Sequence, residues 1–369
     1  MRILFWSPLF WPHIGGTEVL GAQLVGALHE RGHEITVLTR RDPRELAPED
    51  ELGGVRIMRH PFGEALERRD IDAVVAARRA VAQIKREFRP DVIHVSGPSA
   101  DVIFHRLTAH GEPTLVSLHS VLSLDLEARD GLLGRALQDA DWLVGCSAWM
   151  LESLRQRLPV ARSFSSVIHN ALPTPVLAPS PASFEPPRVL MVGRLTPSKG
   201  FDLGLQAVAG VRAEHPGLRL TIAGDGPQRG ELERQAHTLG LGEVAEFLGW
   251  VDPEQIPTLI SASSVVVMPS RSEPFGLVAL QAAQMQRALV GFAVGGLPEV
   301  VSHGVTGLLA RPEDVRELVG YLGRLLADPR AADALGAAAL CRVRHRSWQN
   351  YVEAHETLYE RLARPRSSE

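Results

Sequence analysis

Short apolar runs alternate with longer segments of helical periodicity along the whole chain, a pattern typical of parallel-sheet α/β domains. In the first part of the chain, the apolar runs predict strands at residues 2–7, 34–39, 55–60, 91–95, 114–119, 142–146 and 165–170. The segments between them predict helices at residues 17–30, 70–88, 100–110, 132–139 and 148–158. Residues 1–170 are therefore expected to form one doubly wound, Rossmann-like domain.

A stretch rich in proline and small residues, 171–187, interrupts this pattern and predicts a linker. The pattern then begins again, with strands predicted at residues 188–192, 218–223, 244–248, 265–268, 289–292 and 307–310. Helices are predicted at residues 201–214, 228–239, 254–262, 277–286 and 312–327. Residues 188–347 are expected to form a second Rossmann-like domain, and a helix over about 348–369 is expected to pack back on the first.

The fold class predicted is therefore α/β, with two facing doubly wound domains. The length supports two domains, because 369 residues exceed the roughly 100–200 residues of one domain. Open α/β sheets bind their ligands outside the carboxyl ends of the strands. The cleft that two such domains enclose is thus the expected binding site.

Composition narrows the class of protein. A hydrophobic content of 45% and a charged content of 22% are typical of a globular chain. The net charge of −4 argues against nucleic acid as a partner, since nucleic-acid binders carry a strong basic excess. Two cysteines, Cys146 and Cys341, make neither a disulfide framework nor a zinc site, which favours a cytoplasmic location.

The sequence predicts no membrane-spanning segment, because it contains no run of 18 apolar residues. The apolar N-terminal run is short and leads into Pro12 and Gly15, so it is interpreted as a first strand and not as a signal peptide. The stretch 68–89 is amphipathic and rich in arginine. Its simplest interpretation is a helix with one solvated face; the alternative is peripheral contact with anionic lipid at the inner membrane face.

The first candidate site is the segment Gly193–Gly200, which carries Arg194 and Lys199 between a predicted strand and a predicted helix. Two cations near a helix N-terminus suit a diphosphate, the arginine as a planar fork and the lysine as a compact charge. The chain has only two lysines, Lys85 and Lys199, so a lysine kept at 199 indicates that a compact charge is needed there. The alternative is a solvated loop with incidental charges.

The second candidate site is the segment Pro269–Val278, which also follows an apolar strand. Gly276 lets the backbone approach a ligand, and the helix after it points unpaired N–H groups at the loop. Glu273 is placed to accept hydrogen bonds from sugar hydroxyls. Its alternative role is that of a stabilising negative charge at a helix N-terminus.

No metal site is expected. Asp70-Ile71-Asp72 and Asp139-Ala140-Asp141 have the Asp-x-Asp spacing of metal-dependent transferases. The first lies in an arginine-rich helix and the second precedes a strand, so both are interpreted as surface charges. Gly224-Asp225-Gly226 is followed by Gly230, where the dinucleotide fingerprint needs its third glycine at position 229, and this mismatch argues against a dehydrogenase.

Together these segments resemble glycosyltransferase family 4, of the GT-B fold, over nearly the full length. The resemblance is carried by the two candidate segments and by five shorter motifs, Gly15-Gly16-Thr17-Glu18, Arg31-Gly32-His33-Glu34, His169-Asn170, Gly224-Asp225-Gly226-Pro227 and Gly295-Gly296-Leu297-Pro298-Glu299. It implies a retaining transferase that moves a sugar from a nucleotide diphosphate sugar to a hydroxyl of a sugar, lipid or small-molecule acceptor. No metal and no further cofactor are implied.

The resemblance also implies roles for particular residues. Arg194 and Lys199 would bind the diphosphate and stabilise its departure, Glu273 would hold hydroxyls of the donor sugar, and His119 would lie by the reacting sugar. The remaining residues implied in donor binding are Gly16, Phe275, Gly276, Leu277, Val278 and Gln281. Gly15 and Glu18 would lie with His119 on the acceptor side.

Three positions depart from the family pattern. Gln281 stands where the family usually has a second glutamate for the ribose; an amide still forms hydrogen bonds, but without the strength of a charge. The sequence Met285-Gln286-Arg287-Ala288 replaces a Gly and a Pro, so the helix end is expected to be built differently. Ala171 follows Asn170 where a glycine is usual.

These departures keep other functions open. One alternative is a protein that binds a sugar nucleotide with little turnover, as the change at Gln281 would allow. Another is an epimerase or a phosphorylase on the same fold. An epimerase would release a new sugar isomer without an acceptor, and a phosphorylase would require free phosphate.

Overall fold

The computed structural model describes residues 1–13, 15–42, 45–108, 111–120 and 131–364. It consists of two compact units: Met1–His169 with Gln349–Glu369, and Asn170–Trp348. The sequence placed the corresponding changes at residues 170 and 348. The segment predicted as a linker belongs to the second unit, and Ala171 and Leu172 at its start are buried. Residues 109–110, at the end of the helix predicted over 100–110, lie outside the described residues.

The first unit contains an eight-stranded sheet within the described residues, in the order β3-β4-β2-β1-β5-β6-β7-β8. All neighbours are parallel except β3 and β4. The strands are β1 Arg2–Trp6, β2 Glu34–Arg40, β3 Glu49–Leu52, β4 Val55–His60, β5 Val92–Ser96, β6 Thr114–Leu118, β7 Trp142–Gly145 and β8 Ser165–Val167. The helices are α1 Gly16–Glu30, α2 Phe62–Glu67, α3 Ile71–Phe88, α4 Val102–Arg106, α5 Leu132–Gln138 and α6 Ala148–Arg157.

The second unit contains a parallel six-stranded sheet in the order β11-β10-β9-β12-β13-β14. Its strands are β9 Arg188–Val192, β10 Arg219–Ala223, β11 Ala245–Gly249, β12 Val265–Met268, β13 Ala288–Phe292 and β14 Leu308–Ala310. Its helices are α7 Phe201–Val211, α8 Arg229–Thr238, α9 Ile256–Ala262, α10 Leu277–Gln284, α11 Leu297–Val300, α12 Val315–Ala327 and α13 Pro329–Val343. Every residue of β12 and β13 is buried, as expected for strands covered on both faces.

The order of strands in the second unit determines where its sheet is expected to bind a ligand. From β9 the chain moves outward through β10 and β11, and it then returns to build β12, β13 and β14 on the other side of β9. The sheet therefore has its topological switch point beside β9, where the connections that follow β9 and β12 leave in opposite directions. The segments Gly193–Gly200 and Pro269–Gly276 are these two connections.

The last helix, α14 Trp348–Ala363, is tied to the first unit by polar contacts. Glu356 accepts hydrogen bonds from Arg31 at 2.7 Å and from His33 at 2.8 Å. The hydroxyl of Tyr359 lies 2.7 Å from Nδ1 of His94, and both side chains are buried. Within the described residues, no helix combines the length and the apolar character needed to cross a membrane.

Two of the elements that the sequence analysis missed, β3 and α13, were missed for clear physical reasons. Strand β3 is Glu49-Asp50-Glu51-Leu52, which carries no apolar alternation; it is an edge strand held by its antiparallel pairing with β4. Helix α13 follows α12 after a single residue, Asp328, whose carboxylate accepts a hydrogen bond from the amide of Ala331 at 3.0 Å. The pair Asp328-Pro329 is an N-terminal capping signal that marks the break.

Candidate functional site

The connections after β9 and β12 meet in an ion pair. Nζ of Lys199 lies 2.7 Å from Oε2 of Glu273, and Oγ of Ser270 lies 3.5 Å from the same oxygen. Glu273 is buried, with 6% of its surface exposed. A carboxylate without a partner is costly to bury, so the ammonium group is what makes this position tolerable. Lys199 and Glu273, which the sequence placed in separate motifs, thus form one ion pair.

Lys199 remains accessible from the other side, with 31% of its side-chain surface exposed. An ammonium group has three N–H donors, so it can bind the oxygen atoms of a ligand while it contacts Glu273. Lys199 ends a short 3-10 turn, Pro197–Lys199. Gly200 follows it as the N-terminal cap of α7, with a φ of 64°. The charge therefore lies at the N-terminal end of an eleven-residue helix, which also favours anions.

Gly200 allows the two connections to pack backbone against backbone. A Cβ atom at this position would overlap the carbonyl oxygen of Pro269, at the start of the connection that carries Glu273. The left-handed backbone of Gly200 would also strain any other residue. The contact of Lys199 with Glu273 thus depends on the absence of a side chain one residue away.

Helix α10 presents its N-terminus at the same edge of the sheet. Gly276 caps it with a φ of 105°, and the amide groups of Leu277 and Val278 lie in the first turn, where no intrahelical acceptor exists. Gln281 lies one turn further, on the face of Leu277 and Val278. Phe275 is buried in the core, so the donor contact implied for it is limited to its backbone.

Arg194 occupies an exposed position between two anchored residues. The amide of Gly193 donates to the carbonyl of Ala223 at 3.0 Å, and the amide of Leu195 donates to the carbonyl of Asp225 at 2.8 Å. The connection after β10 therefore fixes the backbone on either side of Arg194. The second unit thus positions Arg194, Lys199, Glu273 and the first turn of α10 on connections that leave the carboxyl ends of adjacent strands.

The remaining predicted site residues belong to the first unit. Gly15 is the N-terminal cap of α1, Gly16 is its first residue and Glu18 lies in its first turn. His119 directly follows β6. Because β1 and β6 both flank β5 in parallel, α1 and His119 lie at the carboxyl edge of one sheet. The contacts that the family resemblance implies for these residues remain predictions.

His119 adjoins a buried cluster that the sequence gave no means to anticipate. His94 donates or accepts hydrogen bonds with Tyr359 at 2.7 Å and with Ser117 at 2.8 Å, and its ring stacks on that of His355 at 5.8 Å. Nδ1 of His119 is buried and has no hydrogen-bond partner among the described residues. Burial, with a smaller contribution from the charge of His355, lowers the pKa of His119 to about 4. His119 is therefore neutral at pH 7.

Sequence analysis also missed Arg271 and Asp202. The guanidinium group of Arg271 binds both carboxylate oxygens of Asp202, at 2.7 and 2.6 Å. Arg271 lay inside a candidate segment, but no role followed from its position, because Asp202 is 69 residues away. The sequence signal for this pair was an arginine in the loop after one strand and an aspartate in the first turn of the helix that follows the neighbouring strand.

The C-terminal end of α10 keeps the backbone conformation that is usual at a helix end but builds it from different side chains. Gln286 adopts the left-handed conformation, with a φ of 57°, so the geometry that a glycine usually provides is kept without a glycine. Arg287 is buried and donates to the carbonyl groups of Ser263 at 2.9 Å, Ser261 at 2.5 Å and Ser180 at 2.6 Å. The guanidinium group thereby caps the end of α9 and holds the proline-rich segment, which compensates for the changed sequence.

Among the residues that the structure describes, no three His, Cys, Asp or Glu side chains are grouped so that they could hold a metal ion. Arg194, Lys199 and the helix N-termini supply positive charge at this edge of the sheet. This arrangement suits an anionic ligand such as a diphosphate.

Comparison with known proteins identifies the family of this chain. Residues 14–174 match the family model described as Glycosyltransferase Family 4, and residues 178–340 match that of Glycosyl transferases group 1. The chain is 31% identical over 410 residues to a glycogen synthase of Mycobacterium tuberculosis, an alignment that covers 99% of this chain and 97% of that protein. The chain belongs to the group 1 glycosyltransferases of family 4.

Further proteins resemble this chain at lower sequence identity. A D-inositol 3-phosphate glycosyltransferase of Acidothermus cellulolyticus is 28% identical over 390 residues, covering 94% of this chain and 86% of that protein. Sucrose-phosphate synthase from Thermosynechococcus elongatus superposes with a TM-score of 0.84 at 24% identity, covering 98% of both chains. HepE of Anabaena, solved with UDP-glucose, has a TM-score of 0.78 at 22% identity, covering 98% of this chain and all of HepE. These likenesses confirm the predicted GT-B fold.

The close packing at Gly200 predicts that Gly200→Ala destabilises this glycosyltransferase by about 1–3 kcal/mol or more, because it combines a strained backbone with a clash. Gly320→Ala in α12 is the matched control, since its Cβ atom would meet nothing within 4 Å. That change should leave stability equal or raise it by up to about 1 kcal/mol. Thermal unfolding of both variants tests this, and equal melting temperatures would contradict the packing argument.

The buried histidines predict a loss of stability in acid. Burial lowers the pKa of His355 to about 4 as well, whereas an unfolded chain takes up these protons near pH 6.5. The unfolded chain therefore binds more protons between about pH 6.5 and pH 4, and stability falls as the pH falls through that range.

We expect the melting temperature of His355→Phe to depend less on pH between 7 and 5 than that of the unmodified protein, whatever its value at pH 7. His345→Phe, which alters an exposed histidine, should keep the original dependence. Calorimetric scans across this range are the measurement. An unchanged slope in His355→Phe would show that the cluster does not govern acid stability.

Proposed function

We propose that this glycosyltransferase moves a sugar from a nucleotide diphosphate sugar to an acceptor hydroxyl, with retention of the anomeric configuration and without a metal ion. The observation that carries the proposal is the contact of Lys199 with the buried Glu273 at the switch point of the second unit. It joins a cation for the diphosphate and a carboxylate for sugar hydroxyls in one place. The solved complex of HepE with UDP-glucose supports this class of donor.

Charge compensation is the main task of the site in this proposal. The bond between the anomeric carbon and the diphosphate oxygen breaks, and negative charge grows on the leaving group. Arg194, Lys199 and the first-turn amides of Leu277 and Val278 are placed to stabilise that charge, as preorganised donors do in other enzymes. Their combined positive charge would replace the metal ion that other transferases use.

Retention is supported by the family alone. In the mechanism that the resemblance implies, the acceptor oxygen bonds to the anomeric carbon on the face that the diphosphate leaves, and the leaving phosphate oxygen takes the acceptor proton. His119 need not act as the base in this scheme. Its lowered pKa keeps it neutral, so it can form a hydrogen bond with a sugar without adding charge.

Gly16, Gly15 and Glu18 complete the proposal from the first unit. Gly16 begins α1, and the family resemblance implies that it binds the diphosphate and that Glu18 lies on the acceptor side. Gln281 is proposed to bind the ribose through its amide.

The test is transfer and hydrolysis of a panel of nucleotide sugars in the presence of a chelator, with the anomeric form of the product read by NMR. We expect activity without added metal and a product of retained configuration. Lys199→Ala and Arg194→Ala should each lower kcat by roughly 10²–10³-fold, the typical loss for one preorganised donor. Arg219→Ala is the control, because Arg219 is exposed and contacts the carbonyl of Glu243 at the opposite end of the strands.

Full activity in both variants would refute the diphosphate assignment. Melting temperatures must be measured alongside, because Lys199→Ala leaves the carboxylate of Glu273 buried without its partner. Glu273→Gln combined with Lys199→Ala removes that penalty and serves as the second variant. Tight donor binding without turnover in the unmodified protein would favour the alternative of a binding protein. A new sugar isomer, or a requirement for phosphate, would indicate the epimerase or the phosphorylase.

One exposed surface of the first unit, on α3, favours a lipid as the acceptor. Ile71 is 77% exposed and Val75 is 38% exposed on α3, beside the exposed Arg79 and Arg86. Helical spacing places all four side chains within one solvent-facing sector. We propose that this sector contacts an anionic membrane surface, where arginines bind head groups and apolar side chains enter the interface.

Sedimentation with vesicles of phosphatidylcholine, with and without phosphatidylglycerol, tests the contact. Binding should require the anionic lipid, weaken as salt is raised, and be lost in the double variant Ile71→Ser, Val75→Ser. Val305→Ser changes a 58% exposed valine of the second unit and should bind as before. Absence of binding to anionic vesicles would exclude the lipid surface.

A further inference from the structure

Arg271 joins the two connections that carry the ion pair. Its guanidinium group donates to both oxygens of Asp202 at 2.7 and 2.6 Å and to the carbonyl of Pro197 at 3.0 Å, and it contacts the carboxylate of Glu313 at 3.0 Å. The amide group of Arg271 donates to the carbonyl of Ser198 at 2.9 Å. Each contact except that with Glu313 reaches the segment 197–202.

These contacts bracket Lys199 on both sides. Pro197 and Ser198 precede it and Asp202 follows it by three residues, in the first turn of α7. Glu273 lies two residues after Arg271 on the other connection. A rigid guanidinium fork that fixes the backbone before and after Lys199 therefore also fixes the distance from its ammonium group to Glu273.

The charge of Arg271 is already compensated. The hydrogen bonds to Asp202 raise the pKa of Arg271 and lower the pKa of Asp202, so both stay charged. With Glu313 as a second carboxylate partner, Arg271 has little uncompensated charge to offer an anionic ligand. Its geometry suits a brace within the protein better than a ligand contact.

We propose that Arg271 and Asp202 are positioning residues, which hold the ammonium group of Lys199 in the place where it serves donor and transition state. This inference rests on the proposed role of Lys199 in transfer. If Arg271 had only a structural role, its removal would lower stability, and activity would fall to the same extent whether or not Lys199 is present.

The experiment is a double-mutant cycle between Arg271→Ala and Lys199→Ala, measured as kcat and as KM for the donor. We expect Arg271→Ala to lower kcat/KM by about 10–100-fold in the unmodified protein and by less than about threefold when Lys199 is already absent, because residues that act through one another are not additive. Arg271→Lys keeps the charge but loses the fork, and should restore only part of the activity.

Arg311→Ala is the matched control. Arg311 lies in the same unit and pairs with Asp314 at 2.6 Å, and its guanidinium group makes no hydrogen bond to segment 197–202 among the described residues. It should leave kcat/KM unchanged. An equal loss from Arg271→Ala in both backgrounds would overturn the inference, and so would a loss of activity that only follows the melting temperature.

A second readout separates this inference from the proposed function. The chain has two lysines, and Lys85 is buried with its ammonium group 2.7 Å from Oγ1 of Thr108, so the two lysine side-chain NMR signals are readily assigned. Arg271→Ala and Asp202→Asn should each shift the signal of Lys199, whereas Arg311→Ala should not. A shifted signal with full activity in Lys199→Ala would uphold the brace and refute the catalytic role; an unmoved signal would refute the brace.

Discussion

The buried carboxylate of Glu273 is the constraint around which the second unit is arranged. A charge with 6% exposure needs a partner, and that partner, Lys199, comes from a different strand connection. The two can meet only because β9 and β12 are adjacent in the sheet although 72 residues of chain lie between the end of the first and the start of the second. The order of strands therefore determines the chemistry of this edge.

The chain uses its two kinds of basic residue for different physical tasks. Both lysines place a compact ammonium group against a protein acceptor: Lys199 beside Glu273, and Lys85 between His105 and Thr108, where burial lowers its pKa to about 7. Arginine serves where a planar group must join separate segments, as Arg271 and Arg287 do. Because arginine is the usual basic residue of this chain, each of the two lysines marks a position where a compact charge fits.

Much of the fold could be predicted from the sequence because buried parallel strands are continuous apolar runs, and Val265–Met268 is one such run with every residue buried. The segments around Lys199 and Glu273 could be found because they follow such strands. Their contact could not be predicted, because it depends on strand order and on the backbone packing at Gly200. Strand β3 escaped prediction because an acidic edge strand has no apolar pattern to detect.

The interactions that sequence reasoning missed share one property: they join residues far apart in the chain through polar groups. Tyr359 and His94 are 265 residues apart, and Arg271 and Asp202 are 69 residues apart. Apolar periodicity reports which face of an element is buried, but it carries no information about which polar groups will meet there. A buried polar group must nevertheless find a partner. Sequence reasoning is therefore weakest for contacts of this kind: Lys199 can be named from its motif, whereas the motif does not indicate that Arg271 binds Pro197 before it and Asp202 after it.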